Sequence, residues 1–258
     1  MVIYGAIAVS ALIVGIGLVQ FTPALSRMLS SCSVKRINLY GPITTYPQVN
    51  ADGSQDGASS DEVMNELAGA MGDPSIKGVI LDIDSPGGSM VAGEEIATAL
   101  QELGKPSVAL VRDQAASAAY RAAIGADAIV ASENSNVGSI GVIYSYLEDS
   151  VKNAKDGLAY VEISSGKYKS LGNPDMPLTA DERALIQRDV DIMHANFIHA
   201  VAARRNISES SVAKLADGST VLGQASKDAG LIDELGGLQE ALNAIADMTG
   251  ENERLCEY

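Results

Sequence analysis

Between Asp113 and Asp127 the chain reads D-Q-A-A-S-A-A-Y-R-A-A-I-G-A-D, with Ser117 set among small residues. Small neighbours leave its hydroxyl uncrowded. The stretch reads as a strand handing over to a helix, and the first turn of a helix supplies free N–H groups able to hold an oxyanion. Upstream, D-S-P-G-G-S (84–89) ends the mostly apolar run from Gly78 to Ile83 in a second, glycine-opened turn. One turn offering a serine and one offering backbone donors are the parts an acyl-transfer site needs.

A serine nucleophile also needs a group to take its proton. The chain holds 2 histidines, His194 and His199, both in the stretch after Thr179 and both read as polar-face helix residues. No histidine lies between Ser117 and Lys169, which speaks against a Ser-His-Asp arrangement with the histidine shortly after the serine. The alternative base is a neutral lysine, whose pKa must be lowered by burial or by nearby positive charge. The segment S-S-G-K-Y-K-S-L-G (164–172) offers Lys167 and Lys169.

Strands and helices must alternate to hold these turns. Val34 to Tyr40 reads as a strand broken by Gly41-Pro42, and the polar residues 50–60 as a mobile loop. Asp61 to Met71 has helical periodicity through Val63, Leu67 and Ala70. Gly78 to Asp84 is a buried strand, Met90 to Leu103 a helix closed by Gly104, Ser107 to Val111 a strand, and Ser117 to Gly125 a helix. Ala128 to Ala131, Gly138 to Tyr144 and Leu158 to Ile163 read as further strands, with a short helix from Leu147 to Lys155. Thr179 caps a long helix to Arg205, with Glu182 completing a capping box. Shorter helices follow at Ser208 to Leu215, Gly223 to Ala229 and Leu238 to Met248. This alternation predicts an α/β fold, a mostly parallel sheet with covering helices.

Composition narrows the function. With 33 acidic against 18 basic residues the net charge is −15, and no tryptophan and 2 phenylalanines leave few stacking surfaces, so nucleic acid is excluded as a partner. Cys32 and Cys256 lack metal-ligand spacing. No disulfide follows from the sequence, and neither metal nor cofactor is expected. From Val2 to Ser26 there is no charged side chain, and an apolar run of about 20 residues suits one helical crossing of a bilayer. Arg27, Lys35 and Arg36 just beyond it would, by the positive-inside rule alone, put the large domain in the cytoplasm.

Five motifs in order add a resemblance: D-S-P-G-G (84–88), A-A-S-A-A-Y (115–120), V-G-S-I-G-V-I (137–143), S-G-K-Y-K-S (165–170) and A-D-G-S-T-V-L-G-Q-A-S-K-D-A-G-L-I-D-E-L-G (216–236). Over Val34 to Leu242 the chain resembles the signal peptide peptidase A family of serine proteases. The resemblance implies a Clp/crotonase-like fold preceded by one transmembrane helix, a Ser/Lys dyad and a ring-shaped homo-oligomer. It divides the chain into an anchor (1–26), a linker (27–33), a peptidase domain (34–248) and a polar tail (249–258). Ser117 matches the nucleophile, Lys169 the general base, and Gly88 an oxyanion-hole N–H. Ser139 matches a hydroxyl that orients the lysine. Ala118, next to the nucleophile, is a second donor by helix-start geometry, although many members carry Gly-Gly where Ala118-Ala119 stand. The expected activity is hydrolysis of hydrophobic peptides such as residual signal peptides, by a single-pass protein of the cell membrane. Family analogy places the catalytic domain outside the cytoplasm. An inactive membrane scaffold of the same fold and a crotonase-type acyl-CoA enzyme are the rival expectations.

Overall fold

The computed structural model describes residues 32–251 and 254–256. The expected anchor and most of the linker after it lie outside the described residues. Among the described residues no helix is long and apolar enough to cross a membrane.

The chain enters the domain through β1 (Val34–Tyr40), followed by two short strands, β2 (Ile43–Thr44) and β3 (Ala58–Ser59), which pair parallel with each other. The start of residues 50–60, expected to be a mobile loop, closes on itself: Asp56 N–H donates to Gln48 O at 3.0 Å and Asn50 N–H to Ser54 O at 2.8 Å. Helix α1 (Ser60–Gly72) starts at Ser59, whose hydroxyl accepts from Glu62 N–H, and buries Val63, Leu67 and Ala70 as its spacing predicts. Strand β4 (Gly78–Ser85) is buried at every position but Asp84, and that is why it reads as a continuous apolar run rather than an alternating one.

Helix α2 (Met90–Gln101), strand β5 (Ser107–Ala116), helix α3 (Ala118–Ala123), strand β6 (Ala128–Ala131) and strand β7 (Asn136–Gly138) complete the first half. Then come α4 (Ser150–Lys155), the long α5 (Ala180–Arg205), α6 (Glu209–Ala213), β8 (Thr220–Leu222), α7 (Gly223–Asp228), β9 (Glu234–Leu235) and α8 (Leu238–Thr249). The main sheet runs β1-β4-β5-β6-β9, with β7 joined to β5 and β8 to β7; every pairing is parallel except β7 with β8.

Strand β5 is longer than its sequence suggests, and its two halves do different work. Val108 to Val111 pair with β6, whereas Gln114 to Ala116 pair with β7. The switch falls at an irregularity against β4, where Ile83 pairs with Val111 but Ser85 pairs with Ala115. Extra residues on one strand bend it. The bend carries the end of β5, and Ser117 after it, beside the turn that follows β4.

Helices cover both faces. On one face α8 packs Ala241 and Ile245 on Val34, Ile80, Val108 and Val130. The larger core lies on the other, where Leu39, Leu81, Ile83 and Val111 meet side chains of α1, α2, α3 and α5. Helices α2 and α3 approach closely: a β-carbon on Gly93 would collide with the carbonyl of Ala118. That closeness is the structural reason for the small residues around Ser117. Tyr120 is fully buried there, its hydroxyl donating to Leu231 O at 2.9 Å, so its role is packing.

Three expectations need correction. Residues 158–163 form no strand, and Ile163 is 100% exposed, because nothing among the described residues pairs with this segment. The strand expected over Gly138 to Tyr144 ends at Gly138. Finally, Cys32 and Cys256 form a disulfide with their α-carbons 4.8 Å apart. Around it the tail is docked: Leu255 bridges Val34, and Cys256 N–H donates to Val34 O at 2.9 Å.

Candidate active site

Ser117 is the N-cap of α3 with φ 52° and ψ −123°, a conformation non-glycine residues seldom adopt. Packing holds it there. Its N–H donates to Gly138 O at 2.8 Å, and its carbonyl accepts from Arg121 N–H at 3.0 Å. Its side chain makes no capping bond, so the hydroxyl is not spent on the helix start. Ala118 N–H, at the first helical position, has no partner inside the helix either.

Gly87 and Gly88 form the facing turn, with φ 98° and 151°. Gly88 lies so close to β2 that a β-carbon there would collide with the carbonyl oxygen of Ile43. Ile43 N–H donates to Gly87 O at 2.9 Å and Ser89 N–H to Ile43 O at 2.8 Å. These bonds use the neighbours of Gly88 and leave its own N–H without a protein acceptor among the described residues. Gly88, Ser117 and Ser139 line one cleft of about 760 Å³. Ser139 has φ 49°, and its hydroxyl donates to Gly218 O at 2.8 Å. A hydroxyl keeps lone pairs when it donates, so Ser139 can still accept a bond from an amine.

Lys169 is not in this cleft. It sits exposed in a turn, its N–H donating to Gly166 O at 3.1 Å. Thus one chain brings together four of the five residues singled out from sequence and leaves the lysine outside. Its rival Lys167 is committed elsewhere, with Nζ 2.6 Å from Asp181. The hydrogen bond to Asp181 leads a set of effects that holds this ammonium well above the usual lysine range. A lysine held charged has no lone pair to accept a proton.

The sequence reading missed the far wall. Gln187, Val190, Asp191 and His194, at helical spacing on α5, line the same cleft. The Nε2 atom of His194 is buried without a hydrogen-bond partner among the described residues. The spacing was visible in the sequence, but which face of α5 meets the cleft depends on the angle at which the helix leaves the core. His199 faces away and bonds Glu209 at 2.7 Å.

A family model described as Peptidase family S49 matches residues 99–251, and one described as Clp protease matches residues 33–137. A relative from Methanocaldococcus jannaschii that carries a protease name is 36% identical over 189 residues, 72% of this chain and 61% of the relative. One from Enterococcus faecium, named for a signal peptide peptidase, is 31% identical over 224 residues, 86% of this chain and 65% of the relative. Protease 4 of Haemophilus influenzae is 30% identical over 225 residues, 84% of this chain but 35% of that protein. The chain therefore spans less than two thirds of the length of each of these relatives. Among solved structures, a point mutant of ClpP1 from Listeria monocytogenes superposes with a TM-score of 0.51 at 12% identity, over 84% of this chain and 98% of that one. That likeness shows a Clp-like fold.

Proposed function

Because the chain belongs to peptidase family S49, we propose that it is a serine endopeptidase in which Ser117 is the nucleophile and Lys169 of a neighbouring copy is the general base. The observation that carries this reading is the pairing of an uncapped serine on a strained turn with the unspent N–H of Gly88 in one cleft. Ser117 Oγ attacks a peptide carbonyl as the neutral Lys169 amine takes its proton. Gly88 and Ala118 N–H groups receive the oxyanion, and the departing amine collects its proton from Lys169. An acyl-enzyme on Ser117 is then hydrolysed by water that Lys169 activates. Ser139 orients the amine by accepting a hydrogen bond from it.

A neighbouring copy is invoked because one chain leaves the cleft without its lysine while exposing apolar side chains between β7 and α5. Ile143 is 89% exposed, and Leu147, Val161 and Ile163 are exposed with it. Apolar surface of this extent marks an interface. A ring-shaped homo-oligomer would supply the missing lysine and cover the bare surface.

The substrates we propose are hydrophobic peptides such as residual signal peptides, met near a membrane through an anchor at residues 1–26. The catalytic domain is assigned to the outside of the cytoplasm. The Cys32–Cys256 disulfide supports that side, since disulfides persist in oxidising compartments. The test is covalent labelling by a serine-reactive fluorophosphonate, with peptide cleavage measured in parallel. Both should vanish in Ser117→Ala. Labelling that survives in that variant would move the nucleophile elsewhere, and no labelling of the wild type would favour an inactive scaffold.

A further inference from the structure

One helical turn past Ser117, Arg121 reaches into a second hollow of about 340 Å³ between α2 and α5. Met90, Val91 and Met193 line both this hollow and the Ser117 cleft, so the two adjoin. Phe197 and Ala200 give it an apolar wall across from α2, and Glu94, Asn196 and His199 line it as well. The Arg121 side chain is 13% exposed, and its Nη1 is buried with no hydrogen-bond partner among the described residues.

The charges around this guanidinium do not satisfy it. Glu94 on α2 stands 3.8 Å from Nη2, too long for a good hydrogen bond, and its own side chain is 67% exposed and screened by water. Arg204 on α5 adds positive potential at Arg121. Its own guanidinium is spent on the carbonyls of Ile124, Gly125 and Ala126. His199, on the same helix, is occupied by Glu209. A desolvated donor without an acceptor is costly to leave unmade. Its site is therefore matched to a ligand that brings the acceptor with it.

We infer that the Arg121 hollow is a substrate subsite for a carboxylate on a short apolar stem, presented by a peptide whose scissile bond lies at Ser117. Such a group lays its methylenes along Met90 and Met193 and meets the Arg121 guanidinium with a charge-assisted hydrogen bond. A glutamate side chain and the terminal carboxylate of a short peptide share this chemistry. The inference rests on the peptidase reading above and narrows its substrate class.

Matched fluorogenic peptides test it. They carry Glu, Gln, Leu or Lys at either residue flanking the cleaved bond, each made as the C-terminal acid and as the amide. Wild type should cleave the best Glu peptide with kcat/KM about tenfold above its Leu counterpart, with Gln between them. Arg121→Met should reverse that order, and Arg121→Lys should keep part of it. A preference that follows the free C-terminus instead of the side chain assigns the hollow to a chain end. An order that is the same in wild type and both variants overturns the inference. Binding of the Glu peptide to Ser117→Ala, measured by calorimetry with and without Arg121→Met, separates the two claims. If the wild type cleaves nothing, the peptidase reading falls, and loss of binding in the double variant alone still supports the subsite. Equal binding by both proteins overturns it.

Discussion

Gly87 lies directly against the turn that carries Ser117. A β-carbon at Gly87 would stand 2.9 Å from Ser117 Cβ, 2.9 Å from Ala118 N and 2.7 Å from Ala116 O. The turn that presents Gly88 and the turn that presents Ser117 therefore fix each other. Gly87→Ala must both adopt φ near 98° and push against backbone that cannot yield. We expect a loss of stability on the order of 2–3 kcal/mol in urea unfolding, together with loss of fluorophosphonate labelling at Ser117. Gly104 makes the control. Its φ is 68° but nothing stands within 4 Å of a β-carbon there, so Gly104→Ala should show the smaller cost of strain alone and keep labelling.

Lys169 sits outside the Ser117 cleft of its own chain, and that makes a two-copy site testable by complementation. Ser117→Ala and Lys169→Ala should each be inactive when expressed alone. Co-expressed, they should assemble rings in which about a quarter of the sites join an intact serine to an intact lysine from different copies. Recovery of peptide cleavage near that fraction is the expected result. Complete inactivity of co-assembled rings would place both members of the dyad in one chain.

Lys167 and Asp181 hold each other charged, which bears on the pH profile. The Lys167 pKa is raised above 10.5, chiefly by its hydrogen bond to Asp181, so any stabilisation from it is present below 10.5 and lost only as pH climbs through the raised value. The Asp181 pKa is lowered below 3.8, first by the hydrogen bond from Lys167, so its share is present above 3.8 and lost as pH falls through the lowered value. Between those limits Lys167 is an ammonium. Lys167→Met should therefore leave kcat/KM within about twofold of wild type and its pH profile unshifted between pH 6 and 9. Lys169→Met should abolish turnover across the same range.

The parts of the site legible in the sequence are those fixed by local chemistry. Gly88, Ser117 and Ala118 sit where apolar strands end in small residues, and the ends of adjacent parallel strands β4 and β5 are neighbours. Ser139 follows because β7 pairs with the bent end of β5. The reading went wrong where the deciding partner is distant or absent. Val161 and Ile163 are strand-like residues, yet a strand needs a neighbour, and the described residues of one chain offer none. Gln187, Asp191, His194, Phe197 and Val201 share one stripe of α5. Only the packing of Phe197 and Val201 into the core shows that the stripe's later turns are buried while its earlier turns line the cleft. The two cysteines are separated by 224 residues, and their pairing depends on both chain ends meeting at the β1 edge.

That pairing yields the last prediction. Ser33 and Val34 N–H groups both donate to Arg254 O, and Cys256 N–H donates to Val34 O, so the tail extends the sheet beyond β1 while the disulfide locks it in place. A short segment carrying a few hydrogen bonds at a sheet edge would otherwise fray. A bond closing a loop of this length is worth about 4–5 kcal/mol by the loss of chain entropy in the unfolded state. Cys256→Ser should therefore lower the melting temperature by roughly 10 °C, and reductant should do the same to the wild type and nothing further to the variant. Hydrogen exchange at Val34 and Cys256 should quicken first, because their protection depends on the tail staying docked, while exchange in β4 and β5 keeps its rank. Alkylation of the unreduced protein should find no free thiol. Two free thiols in protein recovered from the cell would place the domain in a reducing compartment and remove the support that the disulfide gives to an extracytoplasmic one.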